Sequence, residues 1–240
     1  MFCLHNYLAN PTHNINVTLI GVGGTGSFIL PELVALSESL KQLDKRPLNI
    51  KVFDPDIVEQ HNIGRQKFFP PDIGKYKAEV LTTRVNRAYG SNVQFFNKEF
   101  LLQDLNDDNI IITCVDNVKL RRKLAKHLPT KPKGNSYKQT YYWIDAGNSR
   151  DYGQIVLASY SRKKKEQLPS IIDLYPEMED KPEEPSCSMR ASLNEQSFMI
   201  NKLTGIYVME MLSALLIDMN IGYSQVYFNL TPPNVKTNTI

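Results

Sequence analysis

Short apolar runs alternate along the chain with longer segments whose apolar residues recur every three or four positions, and this alternation predicts strands followed by helices. Residues 17–20 read as a buried strand. Residues 25–43 set Phe28, Leu33, Leu36, Leu40 and Leu43 at helical spacing, with Pro31 removing one internal hydrogen bond. After Pro47 a second strand is expected over 48–54, then a helix over 75–89 and a short strand over 93–96. A strongly apolar run predicts a buried strand over 109–115, ending at Asp116. A helix over 118–128 stops at Pro129, and the polar stretch 130–139 reads as a loop. Strands are expected over 141–145 and 154–160. The charged, proline-containing stretch of about 161–190 reads as an exposed crossing segment. Residues 192–219 return to helix, 223–230 alternate as a late strand, and the tail, about 231–240, reads as loosely ordered.

Strands alternating with helices predict an α/β fold, a Rossmann-like doubly wound, mainly parallel sheet with helices on both faces and a late antiparallel strand segment. At 240 residues and 42% hydrophobic, the chain can bury a core of that size in one domain, 1–240, with its core over about 16–220. A net charge of +3 provides no broad field for a polyanion, so no nucleic-acid partner is expected. The basic runs 119–126 and 162–165 read as solvated faces. Cys3, Cys114 and Cys187 are odd in number and scattered, which argues against a disulfide framework and a zinc site and for a reducing cytoplasm. No signal peptide is seen, and the most apolar long stretch, 198–219, is interrupted by Asn201, Lys202 and Glu210, so no membrane span is expected.

The chemistry begins at Gly21-Val22-Gly23-Gly24-Thr25-Gly26-Ser27, between the first strand and the first long helix. Glycine there permits a tight turn and lets backbone approach a phosphate at the positive end of the helix. By itself the turn fits nicotinamide, flavin, S-adenosylmethionine and ATP alike. Asp54, ending the second strand, falls beside the turn in a doubly wound sheet, where a carboxylate accepts from ribose hydroxyls. The loop that follows, Asp54-Pro55-Asp56-Ile57-Val58-Glu59-Gln60-His61-Asn62-Ile63-Gly64-Arg65-Gln66, and then Gly74-Lys75-Tyr76-Lys77-Ala78, carries more cationic groups than a nicotinamide cofactor needs. A triphosphate does call for them, because a guanidinium grips phosphate oxygens bidentately and an ammonium acts as a point charge. Asp116 stands where a carboxylate holds Mg²⁺ beside those phosphates. An NAD-dependent oxidoreductase explains the glycines and Asp54 but leaves Arg65, Lys77 and Asp116 without a role.

GVGGTGS, VFDPDIVEQHNIGRQ, DIGKYKAE, the aspartate of TCVDN, and IDAG followed by YGQIV occur in the order of the ThiF and ubiquitin-activating-enzyme adenylation family, which the chain resembles over about 17–216. The stretch Pro185-Ser186-Cys187-Ser188-Met189, leading into Asn194-Glu195-Gln196-Ser197-Phe198-Met199-Ile200-Asn201, is similar to ThiF-type proteins of the plasmid-associated PRTRC gene cassette. The resemblance implies ATP-dependent adenylation of the C-terminal carboxylate of a small ubiquitin-like, β-grasp protein, by a homodimer. It implies that Gly21, Gly23, Gly24 and Gly26 cradle the nucleotide, that Asp54 holds the ribose, and that Asn62, Arg65 and Lys77 hold the phosphates. Asp56 and Gln66 complete the nucleotide-binding set, Asp116 holds Mg²⁺, and Arg65, Lys77 and Asp116 act in catalysis. Lys75, on another helical face, ranks below Lys77.

Two departures stand out. Many relatives contribute an arginine from an N-terminal segment across a dimer interface, but residues 1–16 contain none, which leaves open a non-catalytic subunit that binds nucleotide and presents the partner. The paired Cys-x-x-Cys zinc site of several relatives is also missing. Cys187 is the candidate nucleophile for a thioester step, set against a plain loop cysteine. Cys114 reads as core, His61 as an exposed loop residue, and Tyr141, Tyr142 and Trp143 as packing.

Overall fold

The computed structural model describes residues 2–130, 139–160, 167–179 and 196–240. The elements in chain order are β1 (Phe2–Cys3), α1 (Asn6–Ala9), β2 (Ile15–Ile20), α2 (Gly26–Gln42), β3 (Leu48–Phe53), α3 (Lys77–Tyr89), β4 (Gln94–Phe96), β5 (Ile110–Thr113) and α4 (Val118–His127). They continue with β6 (Tyr142–Asn148), β7 (Tyr152–Ser159), α5 (Ile171–Leu174), α6 (Ile200–Ser213) with a π-helical extension Ala214–Asp218, β8 (Asn220–Ile221), β9 (Tyr223–Leu230) and β10 (Pro233–Thr239).

One eight-stranded sheet runs β10-β9-β7-β6-β5-β2-β3-β4. The pairs from β4 through β6 are parallel, whereas β6-β7, β7-β9 and β9-β10 are antiparallel. The sheet is thus the mainly parallel, late-antiparallel one expected. Side chains alternate across it, so the central strands β2, β3, β5, β6 and β7 feed two cores. Leu19, Val52, Ile112, Ile144 and Ile155 pack with α2, α3 and α6 on one face. Ile20, Phe53, Ile111, Trp143 and Val156 pack with α4 and α5 on the other. Strand order reverses across β2, which lies between β3 and β5, and such a switch point opens a crevice at the strands' carboxyl ends.

Several boundaries moved for physical reasons. The first strand begins at Ile15, because Asn16 carries ladder bonds as well as Val17 does. The helix expected from residue 75 starts at Lys77, since Tyr76 is extended and bridges Ile57 after the left-handed turn at Gly74. The tail is not loosely ordered: β10 pairs with β9 along its length, although every residue of β10 is exposed. Backbone pairing to an open sheet edge, not burial, orders it. The helix expected from residue 192 begins at Ile200, with 192–195 outside the described residues. From Ile200 to Asp218 it is long and apolar enough to cross a membrane by length and composition, yet 56% of that window is buried against the sheet and α2, as befits a core helix. Most of the crossing segment, Cys187 included, lies outside the described residues.

Candidate functional site

The glycines after β2 have different work to do. Gly21 has φ +86°, donates its N–H to the Phe53 carbonyl at 2.8 Å, and an added Cβ would lie 2.7 Å from the Cys114 carbonyl oxygen. A Cβ on Gly26 would meet the Gly21 carbonyl oxygen at 1.9 Å, and one on Gly24 the Asn201 Oδ1 at 2.5 Å. These three let the turn and its neighbours close. Gly23 differs, because the nearest atom to its Cβ position is Gln66 Oε1 at 3.8 Å. That Oε1 is buried and has no hydrogen-bond partner among the described residues. An unpaired buried carbonyl costs free energy until a donor reaches it, so a ligand hydroxyl or amino group beside the opening of α2 would satisfy it, while at that opening the Ser27 and Phe28 N–H groups already donate to the Gly23 and Thr25 carbonyls.

Asp54 is 4% exposed at the end of β3. Its Oδ2 accepts from the Val22 N–H at 2.7 Å and its Oδ1 from the Asp56 N–H at 2.9 Å, so the carboxylate holds the turn in place while retaining lone pairs for a further donor. Burial pushes its pKa up, and the two N–H bonds and the Lys77 charge offset part of that rise. Lys77, at the first position of α3, is buried and places Nζ 2.8 Å from Asp56 Oδ2. Asn62 is buried too, and its Oδ1 accepts from the Glu59 N–H at 2.8 Å, so its carbonyl shapes the short turn Gln60–Asn62. His61 pairs with Glu59 at 3.2 Å. A cavity of about 480 Å³ is bounded by Pro55, Asp56, Glu59, His61, Tyr76 and Lys77. None of the glycines lines it, so it flanks the turn instead of covering it.

Arg65 donates from Nη2 to Gln196 Oε1, and this contact leads into a network that sequence reasoning missed. Gln196 Nε2 donates to Asn148 Oδ1 at 3.0 Å, and Asn148 Nδ2 donates to Thr25 Oγ1 at 2.9 Å and Asn201 Oδ1 at 3.1 Å. Asn201 Nδ2 returns to Gln196 Oε1 at 3.2 Å. The available signal was Asn201 itself, an amide buried on the inner side of an apolar helix. Ser27 Oγ adds a second tie, accepting from the Lys67 N–H at 3.2 Å, so the Arg65 loop is fixed to the turn.

Asp116 is exposed just past the end of β5, with Asn117 capping α4 through the Leu120 N–H. Beneath it, Arg121 Nε donates to Asp145 Oδ1 at 2.8 Å and Thr113 Oγ1 donates to the same oxygen at 2.5 Å, both residues of the ion pair being buried. Cys114 packs against the core, and burial drives its thiol pKa far up, as a core cysteine requires. Tyr141, Tyr142 and Trp143 are buried packing residues. The structure therefore gathers the glycine turn, Asp54, Gln66 and Arg65 at one end of the sheet, with Asp56 and Lys77 alongside. Among the described residues no group of three or more His, Cys, Asp or Glu side chains is placed to hold a metal, so a cation here would rely on Asp116 and on ligand oxygens.

The N-terminal segment is tied down elsewhere. The His5 N–H donates to Tyr142 Oη at 2.8 Å, and its ring lies 4.1 Å from that of Tyr141, at the amino end of β6 and away from the glycine turn.

Comparison with known proteins bears on the family and the fold. The sequence profile of the ThiF family matches residues 10–240. Human ubiquitin-like modifier-activating enzyme 6 is 29% identical over 134 residues, and the mouse protein 28%, covering 50% of this chain but 12% of theirs. The crystal structure of E. coli MccB with ATP superimposes with a TM-score of 0.64 at 14% identity, covering 97% of this chain and 65% of MccB. The structure of PaaA gives 0.61 at 14% identity, covering 94% of this chain and 64% of PaaA. At such identities the two structures speak for the fold.

Proposed function

The chain belongs to the ThiF family, and from that premise we propose that it binds ATP at the glycine turn and adenylates the C-terminal carboxylate of a small ubiquitin-like, β-grasp protein. One observation carries the reading. A Cβ on Gly23 would touch only the Gln66 side chain, whose carbonyl is buried and unpartnered among the described residues, with the Arg65 guanidinium joined to the same turn through Gln196 and Asn201. The MccB structure determined with ATP supports a nucleotide on this fold, and MccB was also determined with MccA.

In this reaction a carboxylate oxygen of the partner attacks the α-phosphorus, a C–O–P bond forms, and the bond to the β-phosphate oxygen breaks with its electrons leaving on pyrophosphate. No general base is required, because the carboxylate is already ionised at neutral pH. The barrier lies in bringing an anion onto a polyanion, and preorganised cations and backbone N–H groups lower it. Arg65 takes phosphate oxygens bidentately, Lys77 supplies a point charge once a phosphate replaces Asp56, Asn62 and Gln66 contact the nucleotide, and Asp54 accepts from the ribose. Mg²⁺, held by Asp116 and the phosphates, would neutralise charge on the departing pyrophosphate. Cys187 is the candidate for a subsequent thioester. The setting proposed is cytoplasmic and homodimeric, without zinc, membrane or nucleic acid.

The experiment is ATP–pyrophosphate exchange with a small β-grasp protein ending in glycine. Exchange dependent on that protein supports the reading, and intact ATP binding without exchange refutes it. A second reading, a non-catalytic subunit that binds nucleotide and presents a partner, is favoured by the segment before β2, which is anchored through His5 at the amino end of β6, away from the glycine turn.

A further inference from the structure

Arg65 belongs to a long, mobile residue type, yet a phosphate contact demands that its planar fork be held in one place. What holds it comes from far along the chain. Gln196 Oε1 accepts from both Arg65 Nη2 and Asn201 Nδ2, while Gln196 Nε2 donates to Asn148. Asn148 spends its own amide hydrogens on Thr25 and Asn201, and Thr25 Oγ1 donates to Asn201 Oδ1 at 3.3 Å. Every amide in the ring both donates and accepts. Turning any one of them over would set N–H against N–H, so the ring has a single arrangement. It is seated on the glycine turn itself, because Thr25 is the cap of α2 and Asn201 occupies the space a side chain on Gly24 would need.

From this we infer that Gln196 is the positioning residue for Arg65: anchored by Asn148 and Asn201, it fixes the guanidinium relative to the glycine turn and so sets recognition of the nucleotide's outer phosphates. The inference rests on the reading of the turn as an ATP site. It predicts an effect concentrated on phosphate, since Gln196 touches Arg65 directly and the glycine turn only through Asn148 and Asn201, whereas general loosening of the turn would weaken any nucleoside bound there.

The test compares binding of Mg-ATP and of adenosine by calorimetry for wild type, Gln196→Met, Arg65→Ala and the double variant, with thermal unfolding of each. Gln196→Met is expected to weaken ATP binding by about fivefold to tenfold, as loss of an ordered charge-assisted contact does, and to leave adenosine binding unchanged. On the Arg65→Ala background the same change is expected to weaken ATP by less than about twofold, because the two residues act as a unit. Should Gln196→Met fail to fold, Gln196→Asn, which withdraws the amide by one methylene, serves the same comparison. Equal weakening of ATP and adenosine, or additive losses in the double variant, overturns the inference while leaving the ATP site intact. A wild-type protein that does not bind ATP overturns the proposed function, and the inference with it.

Discussion

Lys77 Nζ lies 2.8 Å from Asp56 Oδ2, and the two partners are unequally placed: the lysine side chain is 9% exposed and the aspartate 61%. Removing the lysine leaves a carboxylate in water, whereas removing the carboxylate's charge leaves a buried ammonium with its partner gone. Lys77→Met is therefore expected to change stability by less than about 1 kcal/mol while lowering ATP affinity at least about tenfold. Asp56→Asn is expected to destabilise by more, about 1–3 kcal/mol. Denaturant titration and calorimetry check both, and a larger stability loss for Lys77→Met than for Asp56→Asn refutes the asymmetry.

Gly23 and Gly26 separate ligand space from folding space. Gly26→Ala drives a methyl group onto the Gly21 carbonyl oxygen and is expected to unfold the turn, at a cost of about 3 kcal/mol or more. Gly23→Ala meets only Gln66 at 3.8 Å. It should fold with a melting temperature near wild type and lose ATP binding, as calorimetry alongside thermal unfolding will report. Normal ATP affinity in Gly23→Ala would remove the nucleotide from this turn.

Asp54 carries a pH dependence of known sign. Burial, its largest influence, raises its carboxyl pKa above the ordinary aspartate value, so in the window between those two values the folded protein holds the proton and the unfolded chain does not. Stability then falls as pH rises through that window. Affinity for ATP should move the opposite way, since only the ionised carboxylate accepts freely from ribose hydroxyls. Asp54→Asn is expected to flatten both slopes, measured by calorimetry and denaturant titration across the mildly acidic range, and a wild-type affinity that does not change there argues against a ribose contact.

Arg121 and Asp145 form a buried pair, with Asp145 Oδ2 lacking any further partner among the described residues. Arg121→Met would strand that carboxylate and is expected to cost about 3–5 kcal/mol. Replacing Asp145 by leucine in the same chain should recover much of the loss, because a packed apolar pair avoids desolvating charge. A double variant no more stable than Arg121→Met contradicts this.

The strand–helix alternation and the glycine turn were legible because both are local. Apolar period marks strands and helices, and the turn advertises itself through residue type. Arg65, Lys77 and Asp54 could be singled out as candidates, being close in sequence to a recognisable loop. The amide ring could not be, because Gln196 precedes α6, Asn148 ends β6 and Thr25 caps α2, and only the packing of α6 against α2 and β6 brings them together. β10 escaped for the opposite reason. Its residues are mostly polar and all exposed, so no burial pattern announces a strand that exists through backbone pairing alone.

Thr25 and Asn201 touch across 176 positions of chain. Contacts of such separation form late, after the intervening loop entropy has been overcome. During synthesis the glycine turn leaves the ribosome long before α6 exists to seat against Gly24, so a nascent or truncated chain has the motif without its finished shape. Competence to hold the Arg65 fork thus arrives only once α6 has packed against α2, and nucleotide binding becomes a report that these two distant segments have met.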